Sequence, residues 1–127
     1  MKGFKLLIFG APLVLAAIVT GVPITWAHSF PQKESPSAGQ RLSASPSEVT
    51  IQFDAPIEKL FAKLEVLGAG GKLAKIGAPE IASGAMTLSV KVDTLKPGDY
   101  TVKWSVVCID SHHTEGSYVF TVVGSGR

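Results

Sequence analysis

An antiparallel β-sandwich with Greek-key connections is the predicted fold. Three observations predict it: a hydrophobic period of two after residue 27, turn signals at close intervals between the alternating stretches, and no convincing amphipathic helix. About seven short strands at this spacing are what a sandwich needs. Their short, uneven spacing argues against an up-and-down barrel.

The elements follow in chain order. Val49, Ile51 and Phe53 alternate with Glu48, Thr50 and Gln52, which makes a strand with one buried face. A strand over residues 63–67 and a short one near 72–76 come next. Met86, Leu88, Val90 and Val92 then alternate with Thr87, Ser89, Lys91 and Asp93. Tyr100, Val102, Trp104 and Val106 alternate with Thr101, Lys103 and Ser105, and a terminal strand covers 116–123. Ser45-Pro46, Gly68 to Gly71, Gly77 with Pro79, Ser83-Gly84 and Lys96-Pro97-Gly98-Asp99 supply the turns. Residues 124–127 read as a frayed tail, and no internal repeat is visible. Trp104, Tyr100, Phe53, Tyr118 and Phe120 alternate with polar neighbours and belong to the core rather than to a carbohydrate platform.

Residues 1–27 read as a cleaved signal peptide. Lys2 and Lys5 form a positive start, residues 6–22 are apolar, and Thr25-Trp26-Ala27 approximates a cleavage site. An uncleaved anchor is the competing reading, since about 17 to 25 residues span a bilayer, but Gly10, Pro12, Gly21 and Pro23 interrupt the run. No cysteine follows the run, so a lipoprotein anchor is not indicated. The expected mature domain is 28–127, periplasmic or otherwise extracytoplasmic, with no membrane span after cleavage. Of 12 Lys+Arg and 10 Asp+Glu, removing Lys2 and Lys5 leaves 10 against 10, a net charge near zero. Without a basic stripe, nucleic acid is not an expected partner. Cys108 is the single cysteine, so no internal disulfide can form and folding rests on the core.

The chemistry gathers on the three histidines, His28, His112 and His113. Cleavage after Ala27 makes His28 the N-terminal residue, whose α-amine and ring Nδ1 can chelate one metal together. If the Trp104 strand continues through Asp110, then Asp110 and His112 project to one side and His113 to the other. An Asp-x-His pair alone is a weak signal. An amine, two imidazoles and a carboxylate together suit the tetragonal nitrogen and oxygen preference of Cu(II).

The stretch HSFPQKESPSAGQRLSASPSEVTIQFDAPIEKLF resembles the opening of the CopC-type periplasmic copper-binding proteins, and LKPGDYTVKWSVVCIDSHHTEGSYVFTV resembles that family's later run through its Asp-x-His motif to its closing strand. The likeness spans nearly all of residues 28–127. It implies an immunoglobulin-like Greek-key sandwich or barrel that binds one Cu(II) per chain through His28, Asp110 and His112. It further implies a protein of copper homeostasis, resistance or uptake, with an inner-membrane, CopD-like copper importer as partner; the chain is expected to be a monomer and not an enzyme.

Departures from the family pattern adjust the details. Ser111 is compatible with the motif, and His113 has no carried-over role: it reads as solvated, with a transient ligand as the alternative. Cys108 stands where relatives are expected to carry serine and reads as a core residue, with a thiolate near the metal as the alternative. Some relatives hold Cu(I) in a methionine-rich segment. Residues 54–66 contain no methionine here, and Met86 reads as core, so one Cu(II) site and no methionine Cu(I) site is expected. Phe30 is expected to shield the site or pack beneath it, Phe61 is unassigned, and Glu115 either orients a ligand imidazole or is solvated. The competing function is a histidine-brace copper monooxygenase. Asp110 would occupy the position that oxygen needs there, and the chain is short for a sugar-binding face.

Overall fold

The structure, a computed structural model, describes residue 3, residues 29–74 and residues 76–124. The expected signal peptide, apart from Gly3, lies outside the described residues, as do His28 and residues 125–127 of the expected tail. Among the described residues, eight strands form two four-stranded sheets that do not close into a barrel. One sheet is ordered β1 (Pro31–Ser35), β3 (Glu48–Phe53), β6 (Thr87–Lys91), β5 (Glu80–Ala82); the other β2 (Arg41–Leu42), β8 (His113–Val122), β7 (Gly98–Val107), β4 (Lys63–Leu67). The chain passes from one sheet to the other between β1 and β2, β2 and β3, β3 and β4, β4 and β5, and β6 and β7. Alternation predicts the sandwich because each inward row needs a second apolar face about 10 Å away.

The core is built from the inward positions that the alternation marks. Val49, Ile51 and Phe53 of β3 and Leu88 and Val90 of β6 meet Leu64 and Val66 of β4, Val102, Trp104 and Val106 of β7, and Phe120 of β8. Phe53 and Trp104 meet edge to face, with ring centroids 5.3 Å apart at 72°. Fully burying a side chain such as Phe53 contributes about 1.5–3 kcal/mol. Gly116 stands opposite Trp104 in the β7–β8 register, and the indole fills the space its side chain would take: a Cβ there would lie 2.6 Å from Trp104 Cζ2.

Several elements depart from the sequence expectation. Among the described residues, the strand expected near 72–76 reduces to isolated bridges, Leu67 with Leu73 and Ile76 with Val92, and Leu73 is largely exposed. β1, β2 and β5 appear where no alternation announces them. β2 runs parallel to β8, an exception to the antiparallel plan. β6 begins at Thr87, so Met86 precedes it in a turn and is only partly buried; its carbonyl accepts the Phe53 N–H at 2.7 Å. β8 begins at His113, three residues earlier than expected. β7 and β8 therefore form an unbroken ten-residue pairing, from Gly98 with Val122 to Val107 with His113. That hairpin carries the residues of interest at its tip.

Candidate metal site

β7 ends at Val107, so the expected continuation of the Trp104 strand through Asp110 is corrected. The chain turns instead. Ser111 N–H donates to Cys108 O at 2.9 Å, Cys108 N–H donates to His112 O at 2.8 Å, and Ser111 takes a left-handed φ of 74°. This is the arrangement of a three-residue hairpin loop: a turn over residues 108–111, then one left-handed residue. Asp110 and His112 meet across the turn rather than along a strand face. His112 Nδ1 lies 3.1 Å from Asp110 Oδ2, and the His112 N–H donates to Asp110 Oδ1 at 3.3 Å. This is an acid–imidazole contact, and once Nδ1 gives up its proton, Nδ1 and Oδ2 are two adjacent donors 3.1 Å apart.

The pair faces solvent, with the His112 side chain 55% and the Asp110 side chain 37% exposed. The hydrogen bond from the His112 imidazole is the main cause holding the Asp110 carboxyl below its ordinary range. Slight desolvation opposes this, while the His112 N–H, the imidazole's charge and the Cys108 thiol lower it further. Asp110 is therefore an anion across the neutral range. An anionic oxygen 3.1 Å from an imidazole nitrogen is half of a tetragonal copper donor set.

The residue after His28 is held at the base of this turn. Ser29 is fully buried, at 0% exposure. Its N–H and its hydroxyl each lie 3.0 Å from Cys108 Sγ, and its carbonyl accepts the Thr114 hydroxyl at 2.8 Å. Phe30 N–H donates to Asp54 Oδ1 at 2.7 Å, and Asp54 N–H donates to Phe30 O at 2.9 Å. His28 itself lies outside the described residues. Among the described residues no three His, Cys, Asp or Glu side chains come together as a metal cluster. Ser29, Asp54 and Thr114 were not singled out from sequence. The position of Ser29 beside His28 was the one available hint, because nothing local marks a serine or threonine that bonds across the fold.

The remaining candidates fall around this end. His113 turns away from Asp110 and His112; its Nε2 lies 2.7 Å from Ser105 Oγ and 3.9 Å from Glu115. Glu115 thus approaches His113 rather than His112. Cys108 is buried, as a core reading requires, yet its sulfur also receives Ser29. Ile57 bridges Cys108, and Glu58 N–H donates to Val107 O at 2.7 Å, which brings the short 3-10 turn Lys59–Phe61 to the same end. Leu60 is 88% exposed there, and Phe61, Ile109 and Phe30 are also exposed, so Phe30 does not pack into the core beneath the site.

The CopC domain family matches residues 32–123 of the chain. This protein belongs to the CopC family. Protein YobA of Escherichia coli strain K12 is 32% identical over 116 residues, 90% of this chain and 92% of YobA. Copper transport protein CutJ of Bacillus subtilis strain 168 is 27% identical over 113 residues, 87% of this chain but 21% of CutJ. Among solved structures, CopC from Methylosinus trichosporium OB3b superimposes with a TM-score of 0.73 at 35% identity, covering 79% of this chain and 98% of that one. Membership in the CopC family ties the chain to copper and agrees with the open two-sheet sandwich.

Proposed function

We propose that this protein is an exported carrier of a single Cu(II) ion, bound by the α-amine and ring of an N-terminal His28 together with Asp110 and His112. The buried Ser29 at the base of the Asp110–His112 turn carries the reading. Adjacent Cα atoms are about 3.8 Å apart across a trans peptide, so a chain cut after Ala27 starts one residue from that anchor. Amine and ring are then within reach of a pair that supplies one nitrogen and one oxygen.

Export through a cleaved signal of residues 1–27 is part of the mechanism, because cleavage creates the amine donor. The site lies in an extracytoplasmic, periplasmic compartment and acts in copper homeostasis, resistance or uptake. The exposed pair and its apolar surroundings suit a carrier from which a second protein takes the ion. The match of this chain to about a fifth of CutJ supports a longer copper transport protein, such as an inner-membrane CopD-like importer, as that recipient. The carrier acts as a monomer. It is not an enzyme: Asp110 fills the position that a histidine-brace monooxygenase leaves open for oxygen. With no methionine in residues 54–66 and Met86 partly buried beside β6, the cargo is one Cu(II) and no thioether-bound Cu(I).

The test combines N-terminal sequencing of the exported protein with Cu(II) titration and electron paramagnetic resonance. The expected result is a chain beginning at His28 that binds one equivalent. His28→Ala should weaken binding by more than about a hundredfold, beyond the range typical of residues that merely orient a ligand. An exported chain starting elsewhere, or a His28→Ala protein that binds as the wild type does, overturns the reading.

A further inference from the structure

Cys108 and Thr114 stand on either side of the turn that carries Asp110 and His112, one just before it and one just after. Both hold Ser29: the sulfur faces its N–H and hydroxyl at 3.0 Å each, and the threonine hydroxyl donates to its carbonyl at 2.8 Å. Ser29 Oγ also lies 3.4 Å from the carbonyls of Ala55 and Pro56. The N-terminal segment thus lies across the base of the loop. Cys108 is among the buried apolar residues, yet it is the one of them outside the contiguous hydrophobic cluster. Its sulfur serves a polar contact.

From this geometry we infer that Cys108 is a positioning residue for the metal site: its sulfur is the receptor that holds the residue after His28 against the Asp110–His112 turn. This rests on the proposed copper reading and adds a linkage to it. Sulfur is a weak hydrogen-bond acceptor, so the contact is releasable. Lifting of the N-terminal segment exposes the thiol and withdraws the His28 donors in one movement. Whatever binds only the seated state must protect the thiol, and by the same linkage a seated Ser29 must favour the ion.

The test uses the exported protein under anaerobic, native conditions, with iodoacetamide alkylation of Cys108 followed by mass spectrometry. Metal-free protein should label slowly relative to the denatured chain, and Ser29→Ala should label about three- to tenfold faster, the effect of one lost hydrogen bond. Cu(II) at a hundredfold excess over its dissociation constant should slow wild-type labelling by about two orders of magnitude. Two variants separate positioning from packing. Cys108→Val removes the acceptor and keeps an apolar filler; Cu(II) should bind about tenfold more weakly, with a second copper species in the paramagnetic resonance spectrum. Cys108→Ser restores an acceptor and should return the single species. A side chain that merely packs predicts the reverse ranking, with valine retained and serine penalised, and an unmoved copper spectrum; that result overturns the inference.

Thermal unfolding of the metal-free variants reads fold integrity separately. A wild type that binds Cu(II) but labels equally with and without it overturns the clamp and leaves the carrier reading standing. A wild type that binds no Cu(II) overturns the carrier reading and with it the role of Cys108 toward copper, while the metal-free Ser29→Ala labelling ratio still reports whether the sulfur holds the segment.

Discussion

The two ends of the β7–β8 hairpin are finished in opposite ways. At the Gly98–Val122 end the polar side chains find partners inside the hairpin or its connecting turn: Thr121 Oγ1 donates to Asp99 Oδ1 at 2.6 Å, and the Tyr100 hydroxyl donates to Lys96 O at 2.6 Å. Tyr100 also stacks on Phe120, with centroids 5.6 Å apart. At the Val107–His113 end, Cys108 and Thr114 take a partner 79 and 85 residues away in sequence, and the turn between them presents an exposed acid–imidazole pair. The first end pairs its polar side chains locally and its backbone with a strand, Thr121 N–H donating to Gln40 O at 2.9 Å and Val123 N–H to Leu42 O at 2.7 Å beside β2. The second is held to a distant segment by side-chain bonds to Ser29 in place of a strand ladder, which makes that end the place for local opening.

Acid acts most strongly on the Asp110–His112 end. The proposed amine and imidazole donors bind protons near neutrality in competition with the metal, so Cu(II) affinity should fall by more than about a thousandfold between pH 7 and pH 5. Asp110 contributes nothing to the loss in that window. Its carboxyl is held below the ordinary range by His112, so its charge, and any stability tied to it, persists above its unfolded pKa and is lost only as pH falls through the lower folded value. Competition titrations with a chelator at several pH values check this, and an affinity flat down to pH 5 would mean that the nitrogen donors are wrong. Next in size is Gly116→Val, which forces a side chain into the Trp104 indole between the two ends. Overpacking of this kind costs about 1–3 kcal/mol, or a melting decrease of about 4–8 °C per kcal/mol in a domain of this size. Retention of the wild-type melting temperature would show that the indole moves aside freely.

The sequence made the inward rows of the sheets more legible than the Val107–His113 end. β3, β6 and β7 follow from alternation because their inward rows are apolar over three or more positions. β1, PQKES, and β5, EIA, offer no such row, since an edge strand can be held by backbone pairing alone. Asp110 and His112 were found through spacing and family likeness, but the route by which they meet was misread. A left-handed Ser111 ends the strand, and serine is not a residue that announces such a turn. Ser29 and Thr114 act through partners dozens of residues away, and no local pattern encodes that contact.

Smaller effects separate the ends directly. Thr114→Val deletes the hydroxyl that holds Ser29 O in a partly buried bond and should cost about 1 kcal/mol. Thr121→Val deletes the exposed bond to Asp99 and should cost less than about 0.5 kcal/mol. Urea unfolding of the two variants side by side measures both, and equal losses would erase the distinction between an end whose side chains pair locally and one whose side chains hold Ser29.

The smallest expected effect lies between the ends, where Glu34 of β1 faces Tyr118 of β8. The Tyr118 hydroxyl is buried and takes no hydrogen bond among the described residues. Its pKa is raised, first by burial and then by the Glu34 charge. Glu34 is itself raised by partial burial, with the Ala38 N–H opposing. The sign follows from linkage: a carboxyl whose folded pKa exceeds its unfolded value is neutral at no cost below the unfolded value. It loses stability as pH rises through the folded one. Glu34→Gln removes that penalty. The variant should melt together with the wild type near pH 3 and slightly above it at pH 7, by less than about 0.5 kcal/mol because the group is largely solvated and screened. A gap of equal size at both pH values would mean that the substitution acts through packing at β1, not through the charge that Glu34 presents to Tyr118.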